Sequence, residues 1–507
     1  MPPINSSANM TELHLPPTTS IKQTSRHQLS AYMLPSGSCF YMPSFSVQMV
    51  ILVSAGAKNK FATMSPPRLY TLPLELINHI GSYLHANDQK SLSRLSQTCK
   101  LLRDDFQPML FRAYTHYSQP VSRLVKFLRA IASRPDLATA VTSLTFYQPI
   151  DCTSLSNADR QFIDTCIANL GLPSPPIDWQ LEGGTRHIVL ETVIAYSPTV
   201  QTLELPVNEE WGFEVFASFP RADKRLEFPH LRTLSIFYYY ISGDGWAVDY
   251  DQISLLLEAS PNVEHLALPT VEGFYAGRSE LPSLKSVKTV DLGESGSGLF
   301  FVTSIITECS SVRSFTLHWL RSSGYDEDHK DWSVVEVWDA LVHVKQTLEE
   351  LTFESDPDIP SGFPNADSVS SLAGFEKLRA LKVDGRCFEA MFRAWTLKSG
   401  SDDMNEFVGQ LLPSEISSLT IWAPSDVLIS VLFALARARA RGLYEYLAKV
   451  EIGPSPVFQD WIPNPDWSRS EGSLREKFSG AGVQLGLDIP YVAPEMWNFM
   501  QHTGLIG

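Results

Sequence analysis

One pattern recurs through this chain and limits what it can fold into: apolar, two variable positions, apolar, one variable position, apolar. It occurs as VTSLTF from Val141, VQTLEL from Val200, LRTLSI from Leu231, VEHLAL from Val263 and VKTVDL from Val287. It returns as VRSFTL from Val312, LEELTF from Leu348, LRALKV from Leu378, ISSLTI from Ile416 and LAKVEI from Leu447. With 44% apolar residues, three specified apolar positions match by chance about one time in twelve, so context has to carry the reading. An amphipathic stretch precedes nearly every copy, as in RHIVLETVIAY, DQISLLLEA, LFFVTSIITEC, VVEVWDALVHV and DVLISVLFALARARA. Breakers such as Ser197-Pro198, Pro229 and Ser260-Pro261 then introduce the motif. The cycle is helix, turn, short strand, loop, at intervals mostly running from 24 (Val263 to Val287) to 38 residues (Leu378 to Ile416). Such a unit cannot bury its apolar side alone, but stacked copies can, which predicts an α/β array built on a parallel sheet.

The spacing doubles between Val141 and Val200, where PSPPIDWQLEGG (173–184) reads as an insertion loop. LREKFSGAGVQLGLDI (474–489) predicts one more helix-strand unit, with Val483, Leu485 and Leu487 turned inward.

The pattern ahead of the repeats is helical. Leu72, Leu76, Ile77, Ile80, Tyr83 and Leu84 follow one helix face, Pro73 suits its first turn, and HAND breaks it. Asp88 is placed to cap a second helix carrying Leu92 and Leu95, and Ser96 to Phe106 predicts a third. So small a patch buries little by itself and needs a neighbour or a partner. Residues 1–66 are rich in Ser, Thr and Pro with Glu12 their one acidic residue; they read as a disordered leader, with Met64 as an alternative start.

The segment from Leu72 resembles an F-box. The resemblance is carried by Leu72-Pro73, Glu75, Leu76-Ile77, Ile80, Tyr83-Leu84, Asp88, Leu92, Leu95, Cys99-Lys100 and Pro108-Met109-Leu110-Phe111. Polar QKS after Asp88 departs from that family's pattern. The repeats resemble an irregular form of the leucine-rich repeat, without that family's regular Asn. Together the resemblances imply a three-helix F-box followed by a solenoid whose parallel sheet lines a concave face. The boundaries expected are 1–66 leader, 67–115 F-box, 116–490 solenoid and 491–507 tail.

By resemblance such a chain is the substrate-recognition subunit of an SCF-type cullin-RING ubiquitin ligase, docking to a Skp-type adaptor and through it a cullin. Leu72, Pro73, Leu76, Ile77, Ile80, Leu84, Leu92, Leu95 and Cys99 match the docking face and its supporting core. The substrate protein would then meet the variable strand positions Thr233, Ser235, Phe237, His265, Thr316, His318, Glu350, Glu354, Lys382, Thr420 and Trp422. The alternative is a protein-binding scaffold outside any ligase.

Other chemistry finds little footing. A net charge of -16 argues against nucleic-acid or anionic membrane surfaces. The longest apolar run, VQMVILVSAGA (47–57), falls short of the roughly 18 residues that a membrane span needs. The six cysteines are scattered without a C-x-x-C pair, which fits reduced thiols in the cytoplasm or nucleus. Gly293, Gly296 and Gly298 follow a strand in the order G-x-x-G-x-G, not the order of a dinucleotide loop. Ser295 lacks the second Gly of a hydrolase elbow, and YDEDHKD (325–331) lacks the Gly and Glu of a calcium loop. No cofactor, metal or catalytic residue is expected. Arg437, Arg439 and Arg441 suit the end of a helix, and IFYYYIS (236–242) puts Phe237 on the face opposite Ile236.

Overall fold

The computed structural model describes residues 72–117, 119–147, 155–172, 186–207, 215, 216, 219, 225–238, 250–268, 282–295, 299–319, 334–355, 371–422, 426–453 and 465–487. The chain divides into two units, 1–66 and 67–507, and all described residues belong to the second.

Three helices open it: α1 (Leu74–Asn87), α2 (Gln89–Ser96) and α3 (Lys100–Phe111). The Pro73 carbonyl accepts from the N–H of Leu76 (3.0 Å) and Ile77 (3.1 Å), so the Pro serves as the cap of α1. Asp88 caps α2, its carboxylate accepting from Ser91 N–H at 3.0 Å and from the Ser91 hydroxyl at 2.5 Å. Those bonds favour the charged carboxylate and hold Asp88 below its ordinary range. α1 runs on through the first three residues of HAND, and α3 starts later and ends later than the sequence predicted. The turn Gln97–Cys99 delays α3, and Pro108 is accommodated inside it.

Among the described residues twelve strands follow: β1 (Ala113–His116), β2 (Ser143–Phe146), β3 (Thr202–Val207), β4 (Thr233–Tyr238), β5 (His265–Ala267), β6 (Thr289–Ser295), β7 (Ser314–Trp319), β8 (Glu350–Ser355), β9 (Ala380–Asp384), β10 (Ser418–Trp422), β11 (Lys449–Gly453) and β12 (Gln484–Leu487). They form one sheet in chain order with every pair parallel. β2 to β11 are the ten motif copies and β12 is the predicted extra unit. β1 straddles the 115/116 boundary expected from sequence, because the sheet begins directly after α3.

The connections are α4 (Val121–Ser133) and α5 (Pro135–Ala138) before β2, then α6 (Asn157–Asn169) and α7 (Arg186–Ala195) before β3. The latter pair accounts for the doubled spacing; the insertion loop itself lies outside the described residues. α8 (Tyr250–Glu258), α9 (Leu299–Glu308) and α10 (Val334–Leu341) precede β5, β7 and β8. α11 (Gly385–Ser399) and α12 (Met404–Leu411) precede β10, α13 (Asp426–Ala440) precedes β11, and α14 (Pro465–Gly480) precedes β12.

The motif works through strand geometry. Its three apolar positions in the β10 copy are Ile416, Leu419 and Ile421, all buried, while Ser418, Thr420 and Trp422 alternate to the other face. The buried row packs on the helices, as where Trp338 of α10 meets Phe353 of β8 at 5.4 Å between ring centres. Each turn repeats one hydrogen-bond device. The Arg112 carbonyl accepts from two successive N–H groups, Thr142 at 2.8 Å and Ser143 at 3.0 Å. The same double acceptance recurs at Thr142, Gln201, Arg232, Glu264, Lys288, Arg313, Glu349, Arg379 and Ser417. A polar backbone group that would be orphaned at the start of a strand is thereby satisfied identically along the array.

The helices before the sheet keep a separate apolar cluster of Ile77, Leu92, Leu102 and Phe106, with Leu72, Leu84, Leu95, Met109 and Leu110 around it. The sheet and its helices form one continuous core from Tyr114 to Leu485.

Candidate functional site

The helical segment sorts its nine candidate residues by depth. Ile77 and Leu92 are interior and support the fold; Leu72, Leu84 and Leu95 pack against that core, and Ile80 is half-buried. Pro73, Leu76 and Cys99 face solvent. Around them Leu74, Leu76, Tyr83 and Leu101 are each at least half exposed, an unusual display for a segment of this size. A cleft of about 500 Å³ beside them is lined by Ser96, Cys99, Lys100, Arg103, Gln107 and Phe111, among others.

The eleven strand candidates all fall on the sheet face opposite the helices. Registers place Thr233 beside His265, Ser314 beside Glu350, and Lys382 beside Thr420. The row following the last apolar residue of each motif varies most along the sheet, from Gly293 and Gly453 to Tyr147 and Trp422.

At β7 to β10 this row is His318, Glu354, Asp384 and Trp422. His318 Nδ1 lies 2.8 Å from Glu354 Oε2. Asp384 caps α11 through Arg386 N–H at 2.7 Å and takes the Arg386 guanidinium at 2.5 and 3.0 Å. The rings of His318 and Trp422 approach to 5.9 Å, although their strands are three spacings apart, about 14 Å. The two rings therefore lean together over β8 and β9. That cover leaves the Glu354 side chain without solvent exposure and Asp384 with 1%. Burial raises the Glu354 carboxyl above its ordinary range, opposed by the His318 hydrogen bond and charge and by Arg386, while Asp384 adds to the rise. A His–carboxylate pair can serve acid–base catalysis. Among the described residues, however, no hydroxyl or thiol hydrogen-bonds to His318. The arrangement is a buried polar clamp under an aromatic cover.

At β1 to β4 the same row is Tyr117, Tyr147, Pro206 and Phe237: the two tyrosines are exposed, Phe237 is half-buried and Pro206 is buried between them. Tyr117 and Tyr147 stack at 4.7 Å and 6°. Tyr147 and Phe237 lie 6.4 Å apart, closer than their two strand spacings of about 9.6 Å. Partial burial, with the charge of Glu204 next, raises the Tyr147 hydroxyl.

Tyr117, Tyr147, Asp384 and Arg386 were not singled out from sequence. The signal for two of them was present: Tyr147 and Asp384 hold the same place after their motifs as Phe237, His318 and Trp422 do.

The other sequence candidates resolve simply. Gly293, at φ 46°, sits at a register shift in β6, with its N–H on the Asp291 carboxylate at 2.9 Å; the left-handed backbone explains the glycine. Gly296, Gly298, YDEDHKD and Tyr239 lie outside the described residues. Arg437 and Arg439 occupy the last turn of α13, and Arg437 donates to Asn405 at 3.0 Å. Cys166, Cys309 and Cys387 are buried free thiols; burial pushes Cys166 up to about 11 and Cys309 to about 12. Among the described residues there is no cluster of three or more metal-ligating side chains, and no helix is long and apolar enough to cross a membrane. No family model matches the sequence, and no curated protein matches it.

Proposed function

We propose that the chain is a substrate-recognition subunit of an SCF-type ubiquitin ligase, with α1 to α3 acting as an F-box for a Skp-type adaptor and the open sheet face of a leucine-rich-repeat array holding the substrate protein. The observation that carries this reading is the exposure of Leu74, Leu76, Tyr83 and Leu101 on a segment with its own small core. Fully burying an exposed Leu contributes about 1.5–3 kcal/mol; covering the remaining half of each of these supplies about 1 kcal/mol of stability that the segment lacks. The converging side chains of the open sheet face support the second half, because a sheet curled toward that face presents a hollow lined by variable residues. Function then lies in proximity: a bound protein is held near a charged ubiquitin carrier, which raises its effective concentration. The chain itself contributes no bond-making group.

Co-purification with a Skp-type adaptor tests this. Wild type is expected to capture the adaptor, and Leu74→Asp with Leu76→Asp to lose it while the far-ultraviolet dichroism stays unchanged. Absence of capture by wild type, or undiminished capture by the double variant, overturns the proposal.

A further inference from the structure

We infer that the aromatic row Tyr117, Tyr147 and Phe237, with Glu204 beside it, seats a basic stretch of the bound protein, one that lays Lys or Arg side chains against the sheet. The inference deepens the proposed function and rests on its reading of the open face as the substrate surface.

Exposure comes first. Tyr117 and Tyr147 keep 55% and 41% of their surface in solvent despite stacking on each other. Large rings dominate protein interfaces because they offer area at little cost in conformational entropy. Their π faces attract cations, and Arg or Lys is the side chain that uses this property.

Charge selects the occupant. The open-face positions described on β1 to β8 include the solvent-accessible carboxylates Glu204, Asp291 and Glu350 and no Lys or Arg. Glu204 lies two residues before Pro206 on the same face of β3, and its charge reaches Tyr147. Arg123, at the start of α4, reaches the end of β1, but three other cations of this region sit where the strands begin. There Arg232 and Lys288 hold Glu264 at 3.4 and 2.5 Å, and Arg313 holds Glu349 at 3.7 Å. A basic segment is therefore drawn toward the rings and away from the strand starts. An acidic segment meets the opposite field, and an apolar one makes no use of the carboxylates.

The test is fluorescence anisotropy of a dye-labelled peptide of alternating Arg and Ser on the purified full-length chain. Peptides with Glu or Leu in place of Arg are the comparators. The Arg peptide is expected to bind tightest and to weaken in high salt. Tyr147→Leu keeps apolar bulk but removes the π face, and is expected to weaken it about tenfold; Glu204→Gln is expected to weaken it about threefold. Should Tyr147→Leu lose its far-ultraviolet signature, Phe237→Leu replaces it. Equal binding of Arg and Glu peptides, or full affinity in the folded Leu variants, overturns the inference. Adaptor capture is run on the same preparations. Capture of adaptor without Arg-peptide binding sinks the basic seat and leaves the ligase reading standing. Tyr147-dependent peptide binding without adaptor capture sinks the ligase reading and keeps the seat.

Discussion

The segment α1 to α3 and the sheet that follows handle apolar surface in opposite ways. The sheet's motif sends nearly every apolar side chain into one continuous core, and its neighbours on both sides complete the burial. The helices bury Ile77, Leu92, Leu102 and Phe106 fully and leave Leu74, Leu76, Tyr83 and Leu101 in solvent. A repeat inside an array gains from two neighbours. Among the described residues the helical segment has its main neighbour on one side, at α3, which packs against α5 and β1. Of the two described regions, the helices therefore leave more apolar surface in water for their size and should be the first to lose protection.

The largest expected effect separates the two cores. Phe106→Ala should cost about 3–5 kcal/mol and bring the amides of residues 74–111 to near-unprotected hydrogen exchange, while β7 to β9 stay protected. Phe353→Ala, of similar cost, should deprotect β7 to β9 and leave 74–111 unchanged. Loss of protection in both regions from either variant would show one cooperative unit and end the comparison. Next is Gly81→Val. A Cβ at Gly81 would run into Met109 Sδ and come within 3.0 Å of Phe106, so overpacking should cost about 1–3 kcal/mol, read by the same exchange at 74–111.

A third prediction concerns pH and the clamp on the sheet. Burial holds the folded Glu354 carboxyl above its ordinary 4.5. A raised folded value means that the neutral acid's contribution is fully present below 4.5 and is lost as pH rises through the folded value. Glu354→Gln cannot ionise. Its unfolding midpoint should therefore gain on wild type as pH increases from 4 to 8; a difference that stays constant or shrinks would refute the buried-acid account. Trp422→Ala opens the cover and should flatten the same dependence. The smallest effect is Arg313→Ala at the exposed pair with Glu349, expected to change stability by no more than about 0.5 kcal/mol in chemical denaturation.

Ten strands were legible because parallel pairing buries one face and the motif states that face directly. β1 was hidden because its corresponding residues are Phe111, Tyr114 and His116, and His116 does not count as apolar in a pattern. In the fold it is 1% exposed, 3.3 Å from the Tyr114 hydroxyl, and held below its ordinary value by burial. The eleven candidate positions were legible as a face, since alternation decides it. Their grouping was not. His318 and Trp422 are 104 residues apart in sequence, and only a sheet that stacks its repeats closes that distance to ring contact.

The residues alone determined the periodic strands, the side each one buries and the helices between them, because these follow from local spacing of apolar groups. Tertiary structure decided which variable positions meet, which acids are covered and which rings stay open. Those outcomes depend on how neighbouring strands register and converge, and no local stretch of sequence encodes a contact between strands three repeats apart.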